Sequence, residues 1–226
     1  MRNGLNRFVW DLRHKNLPTI ENVEIEGSYR GRFVVPGTYS AKLTINDKAL
    51  PIQSFRVLTD PRQVKEVPSL VTPSAYQEQD AFLQKVSKDV EDIHVAVTQM
   101  RKIQQQLKEF ISRTEDNASF SGLSKEASGI LTKLKTWEEQ LIQPKSKTND
   151  DVINFVNKLS ANFIFLKGES ESNVPYITEG HKKRFDDLHA EWAKYQQQQT
   201  DLLTNEIRQF NEQCRKLNWN IISYEN

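Results

Sequence analysis

Two short motifs in this sequence have the form of metal ligands. Glu91-x-x-His94 and Asp186-x-x-His189 each set a carboxylate and an imidazole three residues apart. Helical spacing puts both groups of such a pair on one side, the device by which di-iron and di-manganese carboxylate bundles hold their ions. The neighbouring residues weaken this reading. With Val90 and Ile93 at core positions, Glu91 and His94 turn to the flank, and Asp186 and His189 stand in the same relation to Phe185 and Leu188. A two-metal bundle also needs an inward carboxylate from each of two further helices, and the core positions of the two short helices described below are apolar. The expectation is a chain without metal or other cofactor, its four candidate ligands solvated. A metal-dependent helical-bundle enzyme stands as one alternative.

The remaining reactive side chains are scattered. His14 and His181 fall in or beside loops, with no serine, cysteine or carboxylate at a spacing that marks a nucleophile system. Cys214, the sole cysteine, lies on an apolar helical stripe, where burial makes a thiol inert; a disulfide within the chain and a thiolate cluster are excluded. Trp10, Trp137, Trp192 and Trp219 could stack on sugar rings, which leaves a carbohydrate-binding module as a second alternative. Their strand or helix periodicity assigns them to cores first. The basic run "GHKKR" at 180–184 is cancelled by "FDDLHAEW" after it. No phosphate loop, dinucleotide fingerprint or zinc-protease helix occurs, and no catalytic residue is expected.

The 226 residues carry 31 basic and 30 acidic side chains, a net charge of +1, so no global field draws a polyanion or an anionic membrane surface. No nucleic-acid partner is expected. Charged residues make up 27% and the mean hydropathy is −0.68, a balance that suits long exposed helices. The start "MRNGLNRFVW" lacks the apolar stretch of a secretion signal, and no apolar run is long enough to span a bilayer, so no membrane insertion is expected.

Two periods divide the chain into a β region and a helical region, an α+β architecture. Residues 1–62 predict a small antiparallel, partly immunoglobulin-like β-sandwich. In "GTYSAKLTIND" the residues Tyr39, Ala41, Leu43 and Ile45 alternate with Ser40, Lys42 and Thr44. Asn46 and Asp47 make a tight turn, and "IQSFRVLTD" returns with Gln53, Phe55 and Val57 on one face. "GLNRFVWDLR", residues 4–13, predicts an earlier strand with Phe8, Trp10 and Leu12 together, and "IEGSYRGRFVVP" a short strand or loop. Such a sandwich has about seven strands, so further strands are expected upstream of this chain. Pro61, Pro68 and Pro73 mark a linker over 63–73.

From 74 to 218 the period is 3.6, which predicts an elongated antiparallel four-helix bundle with two long and two short helices. The first long helix carries Leu83, Val86, Val90, Ile93, Val97, Met100, Leu107 and Ile111, with Gln104 in one core slot. The second carries Leu123, Ala127, Ile130, Leu134, Trp137 and Leu141 and stops before Pro144. A third is expected to carry Val152, Phe155, Val156, Leu159, Phe163 and Leu166 and to close at Gly168. The last starts near Tyr176 and carries Phe185, Leu188, Trp192, Tyr195, Leu202, Ile207, Phe210, Cys214 and Leu217; its stripe slips around the four glutamines at 196–199, as at a coiled-coil stutter. These lengths predict four layers over half the bundle and a helix pair over the rest. The tail, 219–226, is expected to pack near the β region through Trp219, Ile221 and Tyr224.

The stretches "GLNRFVWDLR", "VVPGTYSAKLTIND", "FRVLTDPR" and "LIQPKSKTNDDVINFVNKLSANFIFL" resemble the carboxy-terminal region of bacterial sialidase-like or sortilin-like β-propeller proteins, often labelled glycosyl hydrolases of the bacterial neuraminidase repeat type. The resemblance covers nearly the whole chain, through structural turns and packing strands. It implies an immunoglobulin-like domain and a helical tail that follow a propeller, with no propeller repeat in this chain. Hydrolytic residues would belong to the propeller, so none is carried over. What the resemblance implies is a non-catalytic accessory module of a secreted, periplasmic or cell-surface protein. Its partners would be the upstream propeller, or another protein or copy met through the helices.

Overall fold

Asn46 and Asp47 both take left-handed backbone angles, φ 46° and 62°, and form the two-residue reversal whose twist suits a hairpin. The computed structural model describes residues 4–171, 174–219 and 222. Its strands are β1 (Gly37–Ala41), β2 (Thr44–Ile45), β3 (Lys48–Ala49) and β4 (Gln53–Val57), with β1 antiparallel to β4 and β2 to β3. The register sets Tyr39 opposite Phe55, as the alternation predicts. Among the described residues the β part consists of these two ladders, without an opposing sheet.

The strand predicted at 4–13 does not form. Leu12 turns through φ 60°, Arg13 makes a single bridge to Phe33, and Phe8 and Leu12 are exposed. Alternation yields a strand only where a ladder partner is within reach. Here Trp10 alone of the three docks, edge-on to Tyr39 and Phe55 at centroid distances of 5.6 and 5.9 Å.

The predicted linker is partly helical, with Asp60 capping α1 (Pro61–Glu66). α2 (Pro73–Thr114) begins with Pro73 at its first position, and the Thr72 hydroxyl accepts from the Ala75 N–H. Its 42 residues extend roughly 60 Å. The predicted stripe is buried along it, Gln104 included, with Ile111 half-buried. A 3-10 turn (Ala118–Phe120) leads into α3 (Ser121–Leu141), whose predicted stripe is buried throughout.

α4 (Leu159–Ser170) starts later and ends later than predicted. The Asp151 carboxylate accepts from the Lys147 and Thr148 N–H groups at 2.6 and 2.9 Å. This cap holds Asn149–Ile153 as a 3-10 turn and leaves Ile153 and Val156 in solvent. Gly168 lies inside the helix. Thr178 caps α5 (Glu179–Asp201), which continues through a π-helical segment (Leu202–Ile207) into α6 (Arg208–Lys216). The π segment is the physical form of the predicted slip. Leu202 and Ile207 both pack on the core, and their spacing of five is the repeat that an i→i+5 helix returns to one side.

α3 and α4 lie end to end along α2. Thr114 meets Ser124 and Gln104 meets Glu138 on one half of α2, while His94 meets Ser160 and Gln79 the Ser170 carbonyl on the other. The two short helices make one descending limb, interrupted at 142–158. α5 and α6 run parallel to α2 at an offset of 100 residues, Asp89 meeting His189 and Gln99 meeting Gln199; Phe110 and Phe210 keep the same offset. The packing is therefore three helices deep, where four layers and a helix pair were predicted; helix lengths alone do not reveal that two helices share one lane.

The tail is also placed otherwise than predicted. Trp219 lies edge-on to Phe110 and Phe120 at 5.6 and 5.0 Å, and Ile222 exchanges two hydrogen bonds with the Asn211 side chain. That end of α2 is roughly 40 Å from Phe82 by helix rise, whereas the base of the hairpin adjoins Tyr76 and Asp80 in a small cleft. Ile221 and Tyr224 lie outside the described residues.

Residues 13–34 form an arm across the break between α3 and α4. Leu17, Ile20 and Ile25 join the helical core. Arg101 donates to the Glu21 carbonyl at 2.5 Å, Lys147 to the Asn22 carbonyl, and the Glu24 N–H to the Ser146 carbonyl at 3.0 Å. Gly31 approaches the His14 carbonyl so closely that no Cβ fits there.

Candidate functional site

The four candidate ligands do not converge. Glu91 and Asp186 are exposed, as expected. His94 is 1% exposed, which corrects the solvated position expected for it. The flank of α2 that carries it is covered by the 13–34 arm and by the start of α4. His94 Nδ1 lies 2.6 Å from the Pro18 carbonyl oxygen and Nε2 2.6 Å from Ser160 Oγ. A carbonyl only accepts, so Nδ1 carries the proton and Nε2 accepts from the Ser160 hydroxyl. Burial pushes the imidazole pKa down, against a smaller upward effect of the Pro18 bond. Ser160 is fully buried as well, so this serine–histidine contact has no opening to a substrate.

His189 is half-exposed and holds the buried Asp89 carboxylate, Nδ1 to Oδ2 2.7 Å. Burial raises the Asp89 pKa, and the His189 bond acts in the opposite direction. Each histidine is thus committed to a partner within the fold. Among the described residues no group of three His, Cys, Asp or Glu side chains is placed to hold a metal ion. Elemental analysis of the purified chain should find iron, manganese and zinc well below one per chain. A stoichiometric metal that is lost in His94→Ala would contradict the geometry.

Buried charges in the short helices were missed by the expectation of apolar core slots. Glu138 on α3 accepts from Arg101 Nε at 2.8 Å and from Gln104 Nε2 at 2.7 Å. Lys167 on α4 is fully buried, 3.4 Å from Glu171, and burial lowers its pKa. Glu171 also accepts from Arg13 Nη1 at 3.0 Å and from the Phe33 N–H at 2.8 Å, while the Arg13 guanidinium stacks 3.5 Å above the Phe33 ring. Close by, Arg32 Nε donates to Asp80 at 2.5 Å. These clusters fasten the arm to the helices. The spacing of four between Lys167 and Glu171 was visible in the sequence, but the third member, Arg13, is 158 residues away.

Comparison with family models, with curated proteins and with solved structures returns no match. Function has to be read from this chain's own surfaces. Cys214 is buried and its thiol is pushed up to about 11 by burial, with Glu126 adding to the effect, so it is inert at neutral pH. Trp137 and Trp192 are buried, as their periodicity predicts, and Trp137 Nε1 donates to the Tyr195 carbonyl at 2.9 Å. His181 helps to cap α5 with Thr178, and His14 is exposed, 3.9 Å from Asp80. No helix among the described residues is long and apolar enough to cross a membrane.

The β end has a different surface. Phe8 is 88% exposed, Leu58 70% and Ile52 61%, and Val9 and Leu43 are exposed as well. The β1–β4 ladder has two strands, so both of its outer edges lack a ladder partner among the described residues. Sequence alternation identified these strands, and their small number for a sandwich already pointed to an incomplete sheet.

Proposed function

We propose that this chain is a non-catalytic accessory module whose β end docks on the remainder of a larger protein. The resemblance points to an upstream β-propeller of a sialidase-like, secreted or periplasmic protein as that partner. In this reading β1 to β4 are part of an immunoglobulin-like sandwich whose other strands come from upstream. The helices, expected as a four-helix bundle, act as the brace. The observation that carries the reading is the contrast between the two ends. The helical region closes its core with the 13–34 arm, whereas Phe8, Val9, Ile52 and Leu58 stand in solvent around two open strand edges. Large apolar side chains gathered in solvent at one end of a fold mark an interaction site.

The test compares this chain alone with the same chain produced together with its upstream coding segment, by amide hydrogen exchange. Docking should slow exchange in β1 and β4 by at least about tenfold, since exchange reports local opening, and should leave the centre of α2 unchanged. Ile52→Ser combined with Leu58→Ser should abolish the slowing. Equal exchange of both strands in the two samples rejects the reading.

A further inference from the structure

The π-helical segment borders a groove that the docking reading does not use. The groove is about 640 Å³ in volume and runs between α3 and the junction of α5 with Leu202–Ile207. We propose that it is a binding site for a neutral oligosaccharide.

Two cross-ties hold the groove open in a fixed shape. Lys133 on α3 pairs with Glu206 on the π segment at 2.6 Å, and Trp137 Nε1 donates to the Tyr195 carbonyl at 2.9 Å. The first joins α3 to the π segment and the second joins α3 to α5, so both parts of the far wall are tied to α3. The size falls within the range of roughly 300 to 1,000 Å³ typical of small-molecule sites.

The lining selects the ligand class. Thr136 and Gln140 project from α3, Gln198 and Asn205 from the opposite wall, and Trp137 and Tyr195 lie between them. Carboxamides offer a donor and an acceptor on each side chain. Such groups match a ligand dense in hydroxyls, each of which both donates and accepts. Tyr195 is partly exposed and offers an aromatic ring to the apolar face of a sugar, whereas Trp137 is buried and supports the floor. Charge argues for a neutral ligand. Lys133 and Glu206 neutralise each other, and the Asp201 carboxylate, also in the lining, accepts from Gln197 at 3.0 Å. No free cation in the lining is left to receive an anionic sugar or a phosphate.

The π segment supplies the geometry. π turns within α-helices occur often at functional sites. Here the wider turn keeps Ile207 in the core and Leu202 between the core and the groove, while Asn205, three residues past Leu202, lies on the groove wall.

The full chain is titrated with neutral di- to tetrasaccharides of hexose and N-acetylhexosamine units and, in parallel, with sialylated forms of the same sugars. Binding is followed by calorimetry and by the Trp137 indole N–H resonance. The expected result is saturable binding of at least one neutral sugar that shifts that resonance. Gln198→Leu and Asn205→Leu, both at exposed positions, should weaken it by about tenfold or more each, the effect of one lost ligand hydrogen bond, with unchanged Tm. No saturable binding up to millimolar sugar overturns the proposal. So does binding that the two variants leave intact, or binding confined to the sialylated forms. Loss of docking at the β end would leave this titration unaffected, so the two readings fail separately.

Discussion

Glu171→Ala should lower the unfolding free energy by about 3–5 kcal/mol, the range for removing one partner of a buried ion pair. Glu171 accepts from Arg13, from Lys167 and from the Phe33 N–H, and the two cations are 11% and 2% exposed at their side chains. Truncation therefore removes the counter-charge of two buried cations at once, and Arg13 is left with the Gly31 carbonyl. Lys167 already has a lowered pKa, with burial as the main cause and Glu171 opposing it. Without Glu171 it falls further, and the lysine sheds its proton more readily as pH rises. Lys167→Met in the Glu171→Ala background should recover part of the loss, because an apolar side chain of similar length replaces an unpaired ammonium. Urea unfolding of the four members of this cycle measures both numbers. A loss below about 1 kcal/mol at unchanged m-value would show that the cluster is weakly coupled to the fold.

His94 gives the second large effect. His94→Ala should cost about 2–4 kcal/mol, because it opens a cavity and leaves the Pro18 carbonyl and the Ser160 hydroxyl without their partner in a closed core. The same residue makes stability depend on pH. Burial lowers the folded pKa below the ordinary value of 6.5, so the unfolded chain binds the proton more readily. The stabilisation is fully present above pH 6.5 and declines as pH falls through that value toward the lower folded pKa, at up to about 1.4 kcal/mol per pH unit. Asp89 acts with the opposite sign. Its folded pKa is raised above 3.8, mainly by burial, so its contribution is present below 3.8 and lost as pH rises through the folded value. His14, whose pKa is also lowered by burial, acts with the same sign as His94, so between about pH 7 and pH 5 it is the difference between the parent and His94→Ala profiles that reads His94. Thermal unfolding across this window should show a falling Tm for the parent chain and a flatter profile for His94→Ala. Parallel profiles would assign the dependence elsewhere.

The helical stripes were legible because each rests on a local rule. Spacing three and four along 83–107 and 123–141 fixes which side of a helix is apolar, and those residues are buried. The Asn46–Asp47 turn was legible for the same reason, since two short polar residues that tolerate positive φ need no distant partner. What failed was decided at long range. The alternation at 8–12 met no ladder, the 152–156 run met a carboxylate cap instead of a helix, and α3 and α4 took one lane. His94 is the clearest case at the candidate site. Its neighbours on α2 placed it on a flank correctly, but the arm that covers that flank lies far upstream in the chain, as the bond to Pro18, 76 residues away, illustrates. The groove beside the π segment was foreshadowed by the slip in the stripe, whereas its lining required knowing that α3 stands opposite.

The 13–34 arm has a consequence for the order of assembly during synthesis. It is made before the helices it packs on, yet its residues close against groups made much later: Pro18 against His94, Glu24 against Ser146, Gly27 against Ile164. α2 and α3 can pair as a hairpin as soon as both exist, since their contacts are close in sequence, but the arm has no seat until α4 has been added. Leu17, Ile20 and Ile25 must therefore wait, unburied, until α4 has been made, and the earliest segment of the helical core is among the last to be locked.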